Sequence, residues 1–380
     1  MVSKRTLDEY FMRRALSLAR RGLGFVRPNP MVGCVIVRDE NIISEGWHSR
    51  YGQAHAEVAA LEPLRLSGND AIGATAYVTL EPCCHFGKTP PCAPRLVQEG
   101  IARVVVGMTD PNPRVDNGGI HILESAGVNV QVGILEDECR RLNRGFIWRH
   151  MLGRPWVTIK SAMTLDGDVA CLDGSSKWIT GYRARRMSHL LRAEHDGVLV
   201  GIGTIRQDDP SLNVRDTDGV SPVKIILDSN LSISENANVF RGGNVIIVCS
   251  IAASEEKKKE LQRKGCDIVT VPNGPDGKLA LKEMLRVLSE KGVASVLVEG
   301  GPNVTASFLG AGLVDGFSLF VAPKILGVGR CFTGPLAIHC LDKAVSVGEM
   351  SCRSVGDDLW IEARAVCSPD LLKPSASSGA

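Results

Sequence analysis

The sequence has 380 residues, a length that fits two or three domains, each able to bury a core without disulfide bonds. Lys and Arg number 44 against 42 Asp and Glu, and the net charge of +2 argues against a nucleic-acid partner. Hydrophobic residues make up 44%, but the sequence lacks a run of about 18 apolar residues that would predict a membrane span. The polar N-terminus, with Asp8 and Glu9, has no signal-peptide core, so we expect a cytoplasmic protein without a membrane partner.

Strand and helix patterns alternate along the first 150 residues. The predicted helices cover 8–21, 56–66, 93–99 and 120–126, and the predicted strands cover 31–37, 42–46, 76–80, 103–107 and 128–132. This alternation indicates a three-layer α/β domain. One face of a further helix carries Leu135, Cys139, Leu142 and Phe146, and this helix is expected to end before the domain boundary at Gly153-Arg154-Pro155.

The second part of the chain also alternates. Its predicted strands cover 156–162, 197–200, 223–227, 245–248, 268–271 and 295–298, and its predicted helices cover 183–194, 254–264, 279–290 and 304–309. We therefore expect domains at 1–150 and 154–367, and a disordered tail at 368–380. No internal repeat is visible, which favours a fusion of two activities over a duplication.

Most of the twelve cysteines lie within apolar stretches, and one cluster is the exception. Cys34, Cys249 and Cys367 lie in apolar stretches and are interpreted as buried hydrophobic residues. A cluster at positions 83, 84 and 92 stands apart from these, because it follows an apolar strand and lies downstream of a histidine.

This cluster predicts a zinc site. His55, Cys83 and Cys92 provide one imidazole and two thiolates, and three protein ligands leave the fourth tetrahedral position for water. Glu57 stands two residues from His55 at the start of a predicted helix, where it can move a proton from this water to a leaving amine. A His-x-Glu motif followed by Pro-Cys is the pattern of zinc deaminases.

Three neighbouring residues compete with the predicted ligands. His48 and His85 are interpreted as surface or loop histidines. Cys84 is either an inert thiol or a substitute for one ligand. The usual deaminase pattern has two residues between its cysteines, whereas eight separate Cys83 from Cys92, so the insert is expected to loop back to the metal.

Longer motifs make the comparison specific. The stretches Arg27-Pro28-Asn29-Pro30-Met31-Val32-Gly33 and Gly87-Lys88-Thr89-Pro90-Pro91-Cys92 resemble the bifunctional riboflavin-biosynthesis deaminase-reductase family. The family commonly has Ser at the position of Cys84. The resemblance implies that Asn29 binds substrate, and the alternative is a turn residue between two prolines.

Two glycine-rich turns follow strands in the second part. Gly201-Ile202-Gly203 fails as a dinucleotide fingerprint, because Arg206 stands where the third glycine is needed. Glu299-Gly300-Gly301-Pro302-Asn303 lies between a strand and a helix, where backbone N–H groups favour phosphate. The alternative is a tight turn without a ligand.

The resemblance extends through this second part. The stretch 160–167 and the motifs Ser175-Ser176-Lys177-Trp178-Ile179-Thr180 and Asp208-Asp209-Pro210-Ser211-Leu212 resemble the family's reductase motifs. They imply a dihydrofolate-reductase-like α/β fold that binds NADPH. The implied nucleotide contacts are Ala162, Trp178, Thr204, Asp208, Ser229, Gly301, Pro302, Asn303, Val304, Thr305, Ala306 and Ser307. The implied phosphoribosyl-substrate contacts are Lys160, Ser176, Leu212, Arg215 and Glu299. For Arg215 the alternative is a solvated charge at a strand end, and for Lys160, Asp166 and Asp208 it is a structural cap.

The resemblance therefore implies two activities. The first domain, cytidine-deaminase-like, would use Zn²⁺ to deaminate 2,5-diamino-6-(5-phosphoribosylamino)pyrimidin-4-one hydrolytically. The second would use NADPH to reduce the ribosyl side chain, giving 5-amino-6-(5-phosphoribitylamino)uracil. Rival hypotheses are a nucleic-acid-editing or other nucleobase deaminase fused to an unrelated binding domain, a non-enzymatic zinc module, and a chain with one working domain. The oligomeric state is left open, with a homo-oligomer among the alternatives.

Overall fold

The computed structural model describes residues 4–86, 90–112, 117–366, 369 and 371. Within them the chain forms two compact units that divide between Leu152 and Gly153. Cys367, the 87–89 segment of the cysteine loop and most of the tail at 368–380 lie outside the described residues. Helices of the described part reach neither the length nor the apolar character that a membrane crossing requires.

The first unit is built on a five-stranded sheet. Its strands are β1 (Gly33–Arg38), β2 (Asn41–Trp47), β3 (Thr75–Leu80), β4 (Arg103–Met108) and β5 (Asn129–Val132). Its helices are α1 (Lys4–Ala19), α2 (Ala56–Leu66), α3 (Cys92–Gln98), α4 (Gly118–Ser125), α5 (Glu136–Leu142) and α6 (Arg144–Leu152). The strand order is β2-β1-β3-β4-β5, with β1 antiparallel to both neighbours and β3, β4 and β5 parallel.

Local sequence explains most of these elements. The β1–β2 hairpin turns at Asp39 and Glu40, which both have positive φ, as a two-residue hairpin turn requires. The apolar face of α1 is buried, including Met12, Ala15 and Leu18. A side chain at Gly33 would place its Cβ 2.0 Å from the Ala15 carbonyl oxygen, so glycine lets α1 approach β1 closely.

One predicted helix is divided in the structure. The sequence pattern predicts a single helix through Leu135, Cys139, Leu142 and Phe146, but α5 ends at Leu142 and α6 begins at Arg144. Asn143 lies between the two helices, and its side chain is buried. The side-chain oxygen accepts a hydrogen bond from the Met31 N–H, and the side-chain nitrogen donates to the Met31 carbonyl, both at 2.9 Å. This non-local pairing fixes the break, so the prediction of one helix was wrong.

The second unit is built on a nine-stranded sheet. The strands of this sheet are β6 (Trp156–Thr164), β8 (Gly197–Gly201), β9 (Val223–Leu227), β10 (Val245–Ser250), β11 (Asp267–Val271), β12 (Ser295–Val298), β13 (Gly316–Ala322), β15 (Val347–Val355) and β16 (Asp358–Ala365). Two further strands, β7 (Asp168–Cys171) and β14 (Gly329–Cys331), pair with each other in a separate sheet. Its helices are α7 (Tyr182–Glu194), α8 (Ile202–Asp208), α9 (Glu255–Arg263), α10 (Leu281–Glu290) and α11 (Pro302–Gly310).

The order of the large sheet is β11-β10-β9-β8-β12-β6-β13-β16-β15. The strands from β11 to β13 are parallel, and β16 and β15 continue the sheet in antiparallel fashion. Parallel strands of this kind are buried on both faces, and β8 and β12 accordingly carry almost wholly buried apolar side chains. Ligands of such sheets bind outside the carboxyl ends of the strands, which directs attention to the residues after β8 and β12.

Candidate active sites

Three elements bring the predicted zinc ligands together in the first unit. His55 is the residue before α2, Cys83 lies three residues beyond the end of β3, and Cys92 is the first residue of α3. The insert between the two cysteines thus returns the chain to the site, as predicted. The two ends of the insert lie close together, because the backbone N–H of Ala93 donates to the Cys83 carbonyl at 3.1 Å.

The distances among the three side chains fit a tetrahedral zinc ion. The His55 Nδ1 atom lies 3.5 Å from Cys83 Sγ and 3.3 Å from Cys92 Sγ, and all three ligand atoms fall within 4.8 Å of one another. Bonds of about 2.0 Å to nitrogen and 2.3 Å to sulfur, at a tetrahedral angle, separate the two ligand atoms by about 3.5 Å. The donor set and its spacing therefore fit zinc.

The electrostatics of the cluster also suit a metal. Hydrogen bonding with Cys92 lowers the pKa of Cys83 to about 4. Burial opposes this shift, and hydrogen bonding with His55 adds to it. The thiolate is the form of cysteine that binds metals. The Cys92 backbone N–H donates to Cys83 Sγ at 3.3 Å and supports this charge.

Glu57 lies beside the cluster and is almost fully buried, with 3% of its surface exposed. Burial, together with the negative charge of Cys83, raises the pKa of Glu57 to about 7. A carboxyl group with such a pKa exchanges protons readily near neutral pH. The carboxyl group does not belong to the described metal-binding cluster, and this leaves it available for proton transfer.

Cys84 is not a member of that cluster among the described residues. Its Sγ atom faces the helix α4 instead, because a Cβ added to Gly118 would lie 2.8 Å from it. The inert-thiol interpretation of Cys84 fits this geometry, and the substitute-ligand interpretation does not.

Asn29 is held by a buried histidine. His48, interpreted as a surface or loop residue, lies in the loop after β2 but is only 3% exposed, so the surface alternative was wrong. Its Nδ1 lies 3.0 Å from the carbonyl oxygen of Ala54, which can only accept, so Nδ1 carries the proton. Nε2 then accepts a hydrogen bond from the Asn29 side-chain nitrogen at 3.2 Å. His85 is exposed, as expected.

A second buried carboxylate, that of Glu81, holds the backbone around this site in place. Glu81 accepts hydrogen bonds from the backbone N–H groups of Asp110 at 3.2 Å, Gly119 at 3.1 Å and Ile120 at 3.4 Å. A Cβ at Gly119 would lie 1.8 Å from the Pro82 carbonyl oxygen, so only glycine permits this approach. Burial raises the pKa of the neighbouring Asp110 to about 6.

These residues surround a cavity of about 340 Å³. Asn29, His48, His55, Glu57 and Cys83 all line it. The predicted substrate, metal and proton-transfer residues of the first unit therefore share one concave site. Phe146, Arg149 and His150 also line it, and no local sequence pattern marks them as site residues.

The second unit contains a larger cavity, of about 1010 Å³, at the carboxyl ends of β6, β8 and β12. It brings together most of the residues that the resemblance implied. These are Lys160, Ala162, Ser176, Trp178, Thr204, Asp208, Leu212, Arg215, Glu299, Gly301, Pro302, Asn303, Val304 and Thr305. The helix α11 begins here, with Gly301 before its first residue and Pro302 in the first position, and such helix starts favour phosphate.

Three of the implied nucleotide contacts lie outside the wall of this cavity. They are Ser229, Ala306 and Ser307. Ala306 is buried in α11, and the Ser307 hydroxyl donates to the Asn303 carbonyl at 2.9 Å, one turn back along the same helix. Their roles stay predictions.

Two cavity residues on α7 were missed by the sequence analysis. Arg192 donates to both carboxylate oxygens of Glu299, at 2.7 and 2.8 Å, and to the Asn213 carbonyl at 3.0 Å. His189 is 6% exposed, and burial, with the positive charges of Arg192 and Arg215, lowers its pKa to about 4. On the sequence, both look like ordinary polar positions of an amphipathic helix.

Lys160 completes this buried charge cluster. Its Nζ atom lies 4.0 Å from Glu299 and 5.9 Å from the centre of the Phe320 ring. Burial lowers the pKa of Lys160, and the charge of Glu299 opposes that effect. Burial would raise the pKa of Glu299, but Arg192 and Lys160 lower it to about 2. Glu299 is therefore an anion that fixes two cations at the cavity wall.

Trp178 projects from the rim of the same cavity and is 62% exposed. The Arg185 guanidinium lies 4.4 Å from the centre of its ring, and Lys324 donates to its carbonyl at 2.7 Å. Arg185 also lines the cavity. An exposed indole held in this way offers a flat apolar surface to a ligand ring.

These two sites define a zinc-dependent deaminase joined to a nucleotide-binding α/β unit. Comparison with protein families agrees with both halves. Residues 5–108 match the cytidine and deoxycytidylate deaminase zinc-binding region, and residues 155–361 match the RibD C-terminal domain.

Whole-chain relatives lead to one family. The riboflavin biosynthesis protein RibD of Aquifex aeolicus is 41% identical over 358 residues, covering 94% of this chain and 98% of the relative. The RibD of Escherichia coli is 40% identical, covering 84% and 89%. Two solved structures, Acinetobacter baumannii RibD and a Thermotoga maritima diaminohydroxyphosphoribosylaminopyrimidine deaminase/5-amino-6-(5-phosphoribosylamino)uracil reductase, superpose with TM-scores of 0.85 and 0.84. Each is 36% identical and covers 96% of this chain and 100% of its own.

The chain belongs to the RibD family of bifunctional deaminase-reductases of riboflavin biosynthesis. It is accordingly both a hydrolase and an oxidoreductase, with Zn²⁺ and NADPH as cofactors. The predicted fold class is confirmed, as are these two activities. The hypothesis of a deaminase fused to an unrelated binding domain is not supported, because the second unit matches the RibD C-terminal domain.

Proposed function

We propose that the first unit, with domain limits 1–150, hydrolyses the C2 amine of 2,5-diamino-6-(5-phosphoribosylamino)pyrimidin-4-one. The observation that best supports this proposal is that the buried carboxyl group of Glu57 lies beside three side chains whose spacing fits zinc. Zinc, when held by His55, Cys83 and Cys92, supplies a water with a pKa lowered to about 7.

The protein's own groups handle protons and orientation. Water adds to C2, the C2–N bond breaks, and ammonia leaves while C2 becomes a carbonyl carbon. Glu57 accepts a proton from the attacking water and delivers it to the leaving nitrogen, a role that its pKa of about 7 supports. The Asn29 amide, with its nitrogen turned towards His48, directs its oxygen to an N–H group of the pyrimidine.

We propose that the second unit, with domain limits 154–367, opens the ribosyl ring of the deaminated product and reduces it at C1′. NADPH, when bound, supplies the hydride, and a proton completes the ribityl product. Trp178, Ala162, Thr204, Asp208 and the start of α11 hold the nucleotide, a role supported by their common cavity.

The phosphoribosyl arm of this second substrate meets the basic wall of the cavity. Arg215, whose guanidinium reaches Ser211 and Asn213 at 3.4 and 3.3 Å, binds the phosphate. Lys160 and Glu299 face the sugar, and Ser176 and Leu212 complete the wall. Burial of Glu299 and its pairing with Arg192 keep these groups in fixed positions.

The test is metal analysis combined with incubation of the diaminopyrimidine phosphate, with and without NADPH. We expect one zinc per chain, ammonia release without NADPH, and NADPH oxidation only after deamination. NADPH oxidation by the undeaminated substrate at the same rate would contradict the proposed order of steps.

A homodimer is proposed through the edge of the large sheet. In the described residues β15 pairs with β16 alone, and it exposes Val347 and Met350, at 41% and 61%. An exposed edge strand with apolar side chains is a template for pairing with a second strand. Light scattering on the purified chain tests this, and a monomer at micromolar concentration would contradict it. A cytoplasmic location and the lack of a nucleic-acid or membrane partner stay predictions.

A further inference from the structure

His189 is a buried histidine in the wall of the larger cavity, on the helix α7. It stands three residues before Arg192, so the two side chains lie on the same side of the helix. With 6% of its surface exposed, His189 is more than nine-tenths buried. A buried polar ring in a cavity wall needs hydrogen-bond partners for both of its nitrogens.

The two ring nitrogens of His189 have different surroundings. The imidazole donates a hydrogen bond to the backbone carbonyl of Asn213. The Nδ1 atom is buried and has no hydrogen-bond partner among the described residues. The donor is therefore Nε2, and Nδ1 carries the lone pair, because a neutral imidazole that is protonated at one nitrogen accepts at the other.

The surroundings of His189 keep the imidazole neutral. Burial, with the positive charges of Arg192 and Arg215, lowers its pKa to about 4, and the charge of Glu299 opposes this shift. Near neutral pH the side chain is therefore an acceptor at Nδ1 and not a cation. A buried acceptor without a partner is unfavourable, and a ligand that brings a hydrogen-bond donor removes this cost.

The neighbours of His189 indicate which ligand brings this donor. Arg215 and Glu299, whose charges act on the imidazole, line the same cavity and are the proposed contacts of the substrate phosphate and sugar. An ionised phosphate offers mainly acceptors, which suit a guanidinium and not a neutral imidazole lone pair. A ribosyl group carries hydroxyl groups, and each of them can donate to this nitrogen.

We propose that His189 binds the substrate of the reductase by accepting a hydrogen bond from a hydroxyl group of its sugar. The inference rests on the proposed function, because it is the phosphoribosyl pyrimidine that carries this sugar. His189 adds a neutral acceptor to a wall on which Arg215 holds the phosphate and Glu299 faces the sugar. No bond is formed or broken at His189, so its role is binding and orientation.

A purely structural role for His189 makes a different prediction. A buried residue with that role stabilises α7 by packing and by its hydrogen bond to Asn213. Its loss lowers the free energy of unfolding, but it does not distinguish a ligand with a sugar from a ligand without one. The Asn213 carbonyl also accepts from Arg192 at 3.0 Å, so this part of the wall keeps one of its hydrogen bonds when His189 is replaced.

The first experiment measures NADPH oxidation with the deaminated substrate. His189→Phe keeps a planar ring without an acceptor. It is expected to raise KM about five- to fiftyfold and to change kcat less than about threefold, because the hydrogen bond is made equally in the ground state and the transition state. Arg186→Gln removes an exposed cation of α7 outside the cavity and serves as the matched control.

The conservative variant His189→Gln keeps a side-chain acceptor. Its KM is expected to lie between those of wild type and His189→Phe, at about two- to fivefold above wild type. The Kd for NADPH, measured by fluorescence titration without substrate, should match wild type in both variants.

Inhibition by two fragments of the substrate provides a second measurement. Ribose 5-phosphate and inorganic phosphate are tested as inhibitors that compete with the deaminated substrate. The inhibition constant of ribose 5-phosphate is expected to rise about five- to fiftyfold in His189→Phe, whereas that of inorganic phosphate, which lacks the sugar, should change less than about twofold.

The outcomes separate the two proposals. If the wild-type chain oxidises no NADPH with the deaminated substrate, the proposed function fails, and the role of His189 fails with it. If the wild-type chain is active but His189→Phe leaves KM unchanged, or weakens inhibition by both fragments equally, the role of His189 alone is overturned. Should urea unfolding show that His189→Phe does not fold, His189→Gln carries the test, and unchanged inhibition by ribose 5-phosphate would then overturn the role.

Discussion

Arg192 and Glu299 form a two-pronged ion pair at the wall of the reductase cavity, with nitrogen–oxygen distances of 2.7 and 2.8 Å. Arg192 lies on α7 and Glu299 follows β12, so the pair joins a helix to the centre of the sheet. Their side chains are 12% and 9% exposed. A pair so enclosed fixes the geometry of the site and makes the unit sensitive to loss of either partner.

Removing one partner of this pair is expected to destabilise the second unit. Arg192→Met leaves Glu299 as a buried anion whose remaining ion pair among the described residues is with Lys160, at a cost of about 3–5 kcal/mol in the free energy of unfolding. Urea denaturation measures the loss, and the double variant Arg192→Met/Glu299→Gln is expected to recover part of it. Arg286→Met, on the exposed face of α10, is the control and should change little. Equal losses of unfolding free energy in Arg192→Met and Arg286→Met would contradict the special role of the buried pair.

The same pair predicts a pH dependence. The pKa of Glu299 is about 2 in the folded chain against an ordinary value of 4.5, so the folded state holds its proton less tightly than the unfolded state. The stabilisation is complete above about pH 5, is lost as pH falls from 4.5 towards 2, and amounts to about 3 kcal/mol. Urea unfolding at pH 7 and pH 3 should show a smaller gap between wild type and Glu299→Gln at the lower pH. A gap independent of pH would contradict the assignment.

Glu57→Gln is expected to abolish deamination while zinc stays bound. The amide keeps the size of the side chain but cannot carry the proton, so ammonia release should fall by about 10²–10⁴. Zinc content and NADPH oxidation with the deaminated substrate should match wild type. Glu62→Gln, on the exposed side of the same helix, is the control. Loss of zinc in Glu57→Gln would show a structural role instead.

His48 is expected to act through Asn29. His48→Ala frees the Asn29 amide to rotate, which should lower kcat/KM for deamination about two- to tenfold without loss of zinc. Asn29→Ala should lower it further. The double variant should be no worse than Asn29→Ala alone, because the two residues share one function. Fully additive losses would mean that His48 has an independent role.

Most of the helices and strands, and the candidate zinc site, could be predicted from local sequence patterns. The helix α2 begins and ends where its pattern predicted, at Ala56 and Leu66, and the β1–β2 hairpin and the predicted parallel strands also follow from local patterns. His55, Cys83 and Cys92 could be predicted as zinc ligands because few side-chain types bind this metal and because all three lie at or near the ends of helices or strands. Their role as ligands stays a prediction. Parallel strands such as β8 and β12 were visible as apolar runs, because both of their faces are buried.

Features that depend on distant partners could not be predicted. The break between α5 and α6 depends on Asn143 bonding Met31, which is 112 residues away in sequence. The roles of His48 and Arg192 could not be predicted, because nothing in the local sequence shows that Asn29 lies beside the first and Glu299 beside the second. The strands β7 and β13 to β16 were also missed. β15 is exposed along most of its length, so it lacks the alternation of a half-buried strand.

Dependence of ammonia release on zinc tests the central claim most directly. The purified chain is incubated with the diaminopyrimidine phosphate, without NADPH, before and after removal of metal by a chelator and after zinc is restored. We predict that ammonia release disappears with the metal and returns with zinc, while NADPH oxidation with the deaminated substrate continues throughout. Undiminished ammonia release from metal-free protein would contradict the assignment of His55, Cys83 and Cys92 as the ligands of a catalytic zinc.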